Sequence, residues 1–76
     1  MNAFILSNGE VLNTYKACAI AEGFDPDEWS LNDQILAWSF LGVTRAYLHL
    51  QGWYGRTLET LVQTGYLDSD FNSLLN

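Results

Sequence analysis

Positive charge is what this chain has least of. Lys16, Arg45 and Arg56 are its only bases in 76 residues, against nine acids, for a formal net charge of -6. Affinity for nucleic acid grows with the number of phosphates that cationic side chains neutralise. Three scattered bases therefore argue against direct nucleic-acid binding, and equally against an anionic membrane surface. Cysteine is nearly as scarce. Cys18 alone cannot form an internal disulfide, and the opening residues Met1-Asn2-Ala3-Phe4-Ile5-Leu6 have neither the basic start nor the long apolar stretch of an export signal. The expected compartment is a reducing cytoplasm. No apolar run reaches eighteen residues, which excludes a membrane-spanning helix.

The usual machinery of catalysis is missing too. His49 is the only histidine, so no paired-histidine zinc motif exists, and no glycine-rich phosphate loop or dinucleotide fingerprint is present. A run beginning at Asp25 starts like a calcium loop, but such a loop needs glycine at its sixth place and glutamate at its twelfth. Ser30 and Leu36 stand there instead. Cys18 reads as a small hydrophobe on the apolar stripe and His49 as a partly buried side chain bonded to a neighbour or to water. No cofactor, no metal and no enzymatic activity are expected.

Apolar residues make up 49% of the chain and aromatics 14%, far too much for a disordered segment. The length predicts one domain over residues 1–76. The expected fold is all-α: a compact bundle of three principal helices with short connections and a short C-terminal helical turn.

The first helix is placed at about 8–22. Ser7-Asn8-Gly9-Glu10 fits a capping box, with Leu6 and Val11 as its hydrophobic staple. Val11, Leu12, Tyr15, Cys18 and Ala19 would then form its inward stripe, and Gly23 would end it. Phe4-Ile5-Leu6 reads either as a strand fragment or as an apolar arm. Asp25-Pro26-Asp27-Glu28 suggests a short turn over 25–29, and Ser30 caps a main helix over 30–51; one continuous helix through both is the alternative. That main helix is apolar around most of its circumference, as a central helix packed on several sides must be. Gly42 in its middle marks a close crossing or a bend. Gly52-Trp53-Tyr54-Gly55 reads as a tight turn, followed by a third helix over 56–64 with Gly65 as its C-cap. Asp68 would cap a short helix over 69–75.

Acids cluster at Asp25, Asp27, Glu28 and Asp33, beside Trp29. One reading is that they only cap helix starts and keep an apolar protein dispersed. The functional reading is an acidic docking face for a basic protein surface, where charge speeds encounter and aromatics anchor. Trp29, Trp53 and Tyr54 lie at element boundaries, where aromatics either close the ends of a bundle or form a contact surface. The expected partner-binding set is Asp25, Asp27, Glu28, Trp29, Asp33, Trp53 and Tyr54. The expected function is a non-enzymatic module that binds another protein, specifically an inhibitor or accessory factor on a basic nucleic-acid-binding protein. Bacteriophages and mobile elements supply small proteins of that type, an analogy rather than a reading of any residue. The alternative is a structural module that forms a homodimer through its helices.

Overall fold

The computed structural model describes residues 4–23 and 29–75. Three α-helices, α1 (Thr14–Ala21), α2 (Leu31–Val43) and α3 (Gly52–Gln63), are joined by a 3-10 turn over Ala46–His49. The fold is all-α. Among the described residues only two isolated β-bridges interrupt it, and no helix is long and apolar enough to cross a membrane. The radius of gyration, 11.2 Å, is what a folded chain of this length gives, about 11 Å.

The N-terminal segment differs from the capping-box expectation. Residues 4–12 form a small hairpin: Gly9 N–H donates to the Leu6 carbonyl at 2.9 Å and Leu6 N–H to the Glu10 carbonyl at 2.8 Å. Ile5 and Val11 pair across it. Asn8-Gly9 is a turn signal, and Gly9 takes φ +90°, a conformation a side chain would oppose. Period-two alternation then governs the side chains. Leu6 and Leu12 enter the core, while Ile5 and Val11 face solvent, Val11 at 71% exposure. Glu10 caps nothing; it pairs with Lys16 at 3.1 Å.

Helix α1 therefore starts at Thr14 rather than residue 8, with the Asn13 side chain accepting from Lys16 N–H at 2.8 Å. The later start rotates the inward face. Ala17 and Ile20 are buried, whereas Tyr15, placed inward by the sequence pattern, is 86% exposed. Gly23 follows the helix at φ +73° and its N–H closes on the Ile20 carbonyl at 3.0 Å.

Helix α2 is the central element, packed on α1 and on the 3-10 turn. Ser30 caps it, its hydroxyl accepting from Asp33 N–H at 3.2 Å. Ile35, Ala37, Trp38, Ser39, Leu41 and Gly42 are all buried. The helix stops at Val43 instead of continuing to residue 51. Thr44 bonds back to the Phe40 carbonyl at 2.7 Å, and Arg45 turns left-handed at φ +63°. The chain then re-forms as the 3-10 turn.

Helix α3 begins at Gly52, four residues before the expected start, so Trp53 and Tyr54 are helical rather than part of a turn. Glycine costs about 1 kcal/mol in a helix. Burying Tyr54 and Leu58 one turn apart returns about 1.5–3 kcal/mol per side chain and outweighs it. Gly65 ends the helix at φ +91°, and Tyr66 and Leu67 amides return to the Leu61 carbonyl.

No helix forms over 69–75. Residues 66–75 fold back as a loop in which Leu67 bridges Ser73 and the Asp68 carboxylate accepts the Asn72 and Asp70 amides, each at 2.9 Å. Those amides, that of Asn72 first, hold the Asp68 carboxyl below the ordinary range. The loop is locked onto α2 at Phe71, whose carbonyl accepts from Ser39 Oγ at 2.7 Å and whose ring meets Tyr47 edge-on at 5.7 Å.

Candidate functional site

A cleft of about 290 Å³ opens between the end of α1 and the start of α3. Glu22, His49, Leu50, Gln51, Trp53 and Tyr54 line it. Each wall has a local cause. Glu22 is there because it occupies the C-cap of α1. The 3-10 turn ends on His49, and Leu50 and Gln51 return the chain to extended geometry ahead of α3. The early start of α3 then aims two successive aromatics at one end of the molecule. Trp53 stacks on Tyr54 at 4.1 Å, and both rings pack on Trp38, at 6.0 and 5.6 Å.

Two hydrogen bonds fix polar groups of this cleft, while His49, expected to be partly buried, is exposed. Tyr54 O–H donates to Glu22 Oε2, and Trp53 Nε1–H donates to Gln51 Oε1 at 3.1 Å. Burial, first, and then the hydrogen bond to Glu22 push the Tyr54 phenol above its ordinary range. Cys18 lies on the same side of α1, one turn before Glu22. Burial raises its thiol too; the nearby Tyr54 hydroxyl opposes the rise and the Glu22 charge adds to it. At neutral pH both groups therefore keep their protons. Tyr54 remains a donor, and Cys18 stays a thiol rather than the thiolate that nucleophilic chemistry needs.

The expected binding residues divide into three groups. Asp25, Asp27 and Glu28 lie outside the described residues. Trp53 and Tyr54 are brought together in the cleft, Trp53 half-buried as one wall, Tyr54 only 3% exposed and so a support rather than a contact surface. Asp33 and Trp29 go elsewhere. Asp33 is 4% exposed, its two oxygens accepting from Ser7 N–H at 3.0 Å and Ser7 Oγ at 2.6 Å. It ties the hairpin to the start of α2, where a carboxylate also complements the helix dipole. A carboxylate this buried, with each oxygen engaged by Ser7, offers no surface to a partner, so Asp33 acts as a tie within the fold. Trp29 is half-buried with the Lys16 ammonium 5.2 Å from its ring centre, a cation–π contact made within the chain.

Glu22 and His49 were not in the expected set. One sequence signal for Glu22 existed: it falls four residues after Cys18, on one helix face. Nothing local pointed to Tyr54, 32 residues away, as its partner. A second hollow, of about 560 Å³, lies between α3 and the C-terminal loop, with Tyr47, Val62, Phe71, Arg56 and Glu59 among its walls. Among the described residues no cluster of three metal-ligating side chains occurs. No known protein family, curated protein or solved structure matches the chain.

Proposed function

We propose that this chain is a non-enzymatic, acidic protein-binding module that docks on a basic nucleic-acid-processing protein and modulates it as an inhibitor or accessory factor. One observation carries the reading: a large excess of negative over positive charge. The net charge is -6, and of the three bases Lys16 is already engaged by Glu10. Such a field attracts a cationic surface and raises the encounter rate. Occupying that surface excludes the nucleic acid that would otherwise bind it, which is the simplest route to inhibition. Asp25, Asp27 and Glu28 follow Glu22 closely in sequence and supply the steering charge. The test is affinity capture from nuclease-treated host lysate, run beside a variant carrying Asp25→Asn, Asp27→Asn and Glu28→Gln. A basic nucleic-acid-binding protein held by the wild type and lost by the variant is the expected result. Equal retention by both, or an acidic partner, counts against the proposal.

One observation favours a second reading, a self-associating structural module. Ile5 and Val11 face each other across the hairpin with both side chains exposed, and Tyr15 adds a third exposed apolar group in the first turn of α1. Sedimentation over a range of concentrations distinguishes the two. A dimer that persists or tightens as salt rises supports self-association through apolar surface, since screening weakens only the charged route.

A further inference from the structure

We infer that the cleft between α1 and α3 binds an arginine side chain of the basic partner, gripping the guanidinium between the Glu22 carboxylate and the Trp53 ring. This inference rests on the reading above and names the group that the partner inserts. Size is the first argument. At about 290 Å³ the cleft falls at the lower edge of small-molecule sites, which run from about 300 to 1,000 Å³. It suits one long side chain better than a cofactor.

Charge is the second argument. The only ion pair among the described residues joins Lys16 to Glu10, so Glu22 brings to the cleft a carboxylate with no ion-pair partner among those residues. Tyr54 O–H donates to Glu22 Oε2, and no other hydrogen bond engages that carboxylate among the described residues. The bond orients the group, and its raised pKa keeps the phenol a donor at neutral pH. Tyr54 is therefore a positioning residue: buried itself, it sets the angle at which Glu22 meets a ligand.

Shape decides between the two cationic side chains. A guanidinium is flat, stacks on an aromatic face and gives a carboxylate two parallel N–H bonds, whereas an ammonium is a compact, strongly hydrated point charge. An aromatic wall beside a carboxylate suits the first. Gln51 Oε1 already accepts from the Trp53 indole and has a second lone pair for an incoming N–H. The indole N–H thus sits one bond away from the ligand and reports on it.

The experiment is a titration of the intact, nitrogen-15-labelled chain with Nα-acetyl-arginine methylamide, following the Trp53 indole N–H resonance. A saturable shift with millimolar affinity is expected. The citrulline analogue, nearly the same shape without charge, should give no saturable shift, and the lysine analogue should bind more weakly. Glu22→Gln should reduce arginine affinity about tenfold, the loss of a charge-assisted bond. Equal shifts with citrulline, or binding insensitive to Glu22→Gln in a variant of unchanged helical circular dichroism, overturn the inference. If that variant does not fold, the citrulline comparison on the wild type still decides. A basic partner that binds Glu22→Gln as tightly as wild type refutes the cleft while sparing the proposed function. Arginine binding with no basic partner refutes that function and leaves a guanidinium site.

Discussion

Replacing Gly42 with alanine sets two opposing effects against each other in the middle of α2. Alanine is the better helix former by about 1 kcal/mol, so an isolated α2 would gain. In the folded chain the new Cβ would lie 2.6 Å from both Cβ and Cγ of Phe71. Those atoms are the root of the Phe71 side chain, so the ring cannot swing aside; the backbone must move. That backbone is held, with Phe71 at φ +68° and its carbonyl bound by Ser39 Oγ at 2.7 Å. Overpacking of this kind costs about 1–3 kcal/mol, and disturbing the Ser39 bond about 1 kcal/mol more. The net expectation for Gly42→Ala is a loss of about 1–3 kcal/mol, and each kcal/mol lowers Tm by about 4–8 °C in a domain this small. Urea unfolding followed by circular dichroism measures it. The sharper check repeats the substitution in a Phe71→Gly background, which removes both Cβ and Cγ. There the clash is gone and the same change should stabilise, by up to about 1 kcal/mol. A Gly42→Ala protein as stable as wild type, or no reversal of sign between backgrounds, would refute the docking of the C-terminal loop on α2.

Two further predictions concern buried polar contacts. Asp33→Ala removes both acceptors of Ser7 and should cost about 2 kcal/mol, less than a fully buried pair because Ser7 is exposed and water replaces part of the loss; Asp33→Asn should cost about half as much, both read by urea unfolding. Tyr54 sets an alkaline limit. Its folded pKa is raised, so the stability it contributes is full below the unfolded value of about 10 and is lost as pH rises from there toward the folded value. Unfolding free energies between about pH 9 and 11 should fall more steeply for wild type than for Tyr54→Phe, which at neutral pH should lose about 1 kcal/mol with its bond to Glu22. Parallel slopes in the two proteins would remove Tyr54 from that limit.

The all-α class and the central position of α2 were legible because local and global signals agree there: Ser30 is a good cap, and apolar side chains surround the helix. The terminating glycines Gly23 and Gly65 were legible for the same reason, since each is both a sequence break and a positive-φ residue. The hairpin was not. Ser7-Asn8-Gly9-Glu10 satisfies a capping box and an Asn-Gly turn equally well. What separates them is Asp33, 26 residues away, which takes both Ser7 donors. Helix α3 misled in the opposite sense, because Gly52 and Gly55 look like breaks until the burial of Tyr54 and Leu58 is counted. The cleft was half legible. The boundary position of Trp53 and Tyr54 marked them, but Glu22 and His49 join them only through the packing of α1, the 3-10 turn and α3. The tie at Asp33 was not legible because an acid near a helix start looks the same in sequence whether it faces solvent or a serine.

The central claim is that negative charge guides this chain to a basic protein and displaces nucleic acid from it. The direct measurement is the affinity for the captured partner as a function of salt, with and without competing nucleic acid. The account predicts that affinity falls at least tenfold between about 50 and 500 mM salt, as expected when charges must act across a screening length of about 10 Å or less, and that partner and nucleic acid compete for one site. Affinity that is flat or rises with salt, or a ternary complex with nucleic acid still bound, would contradict it.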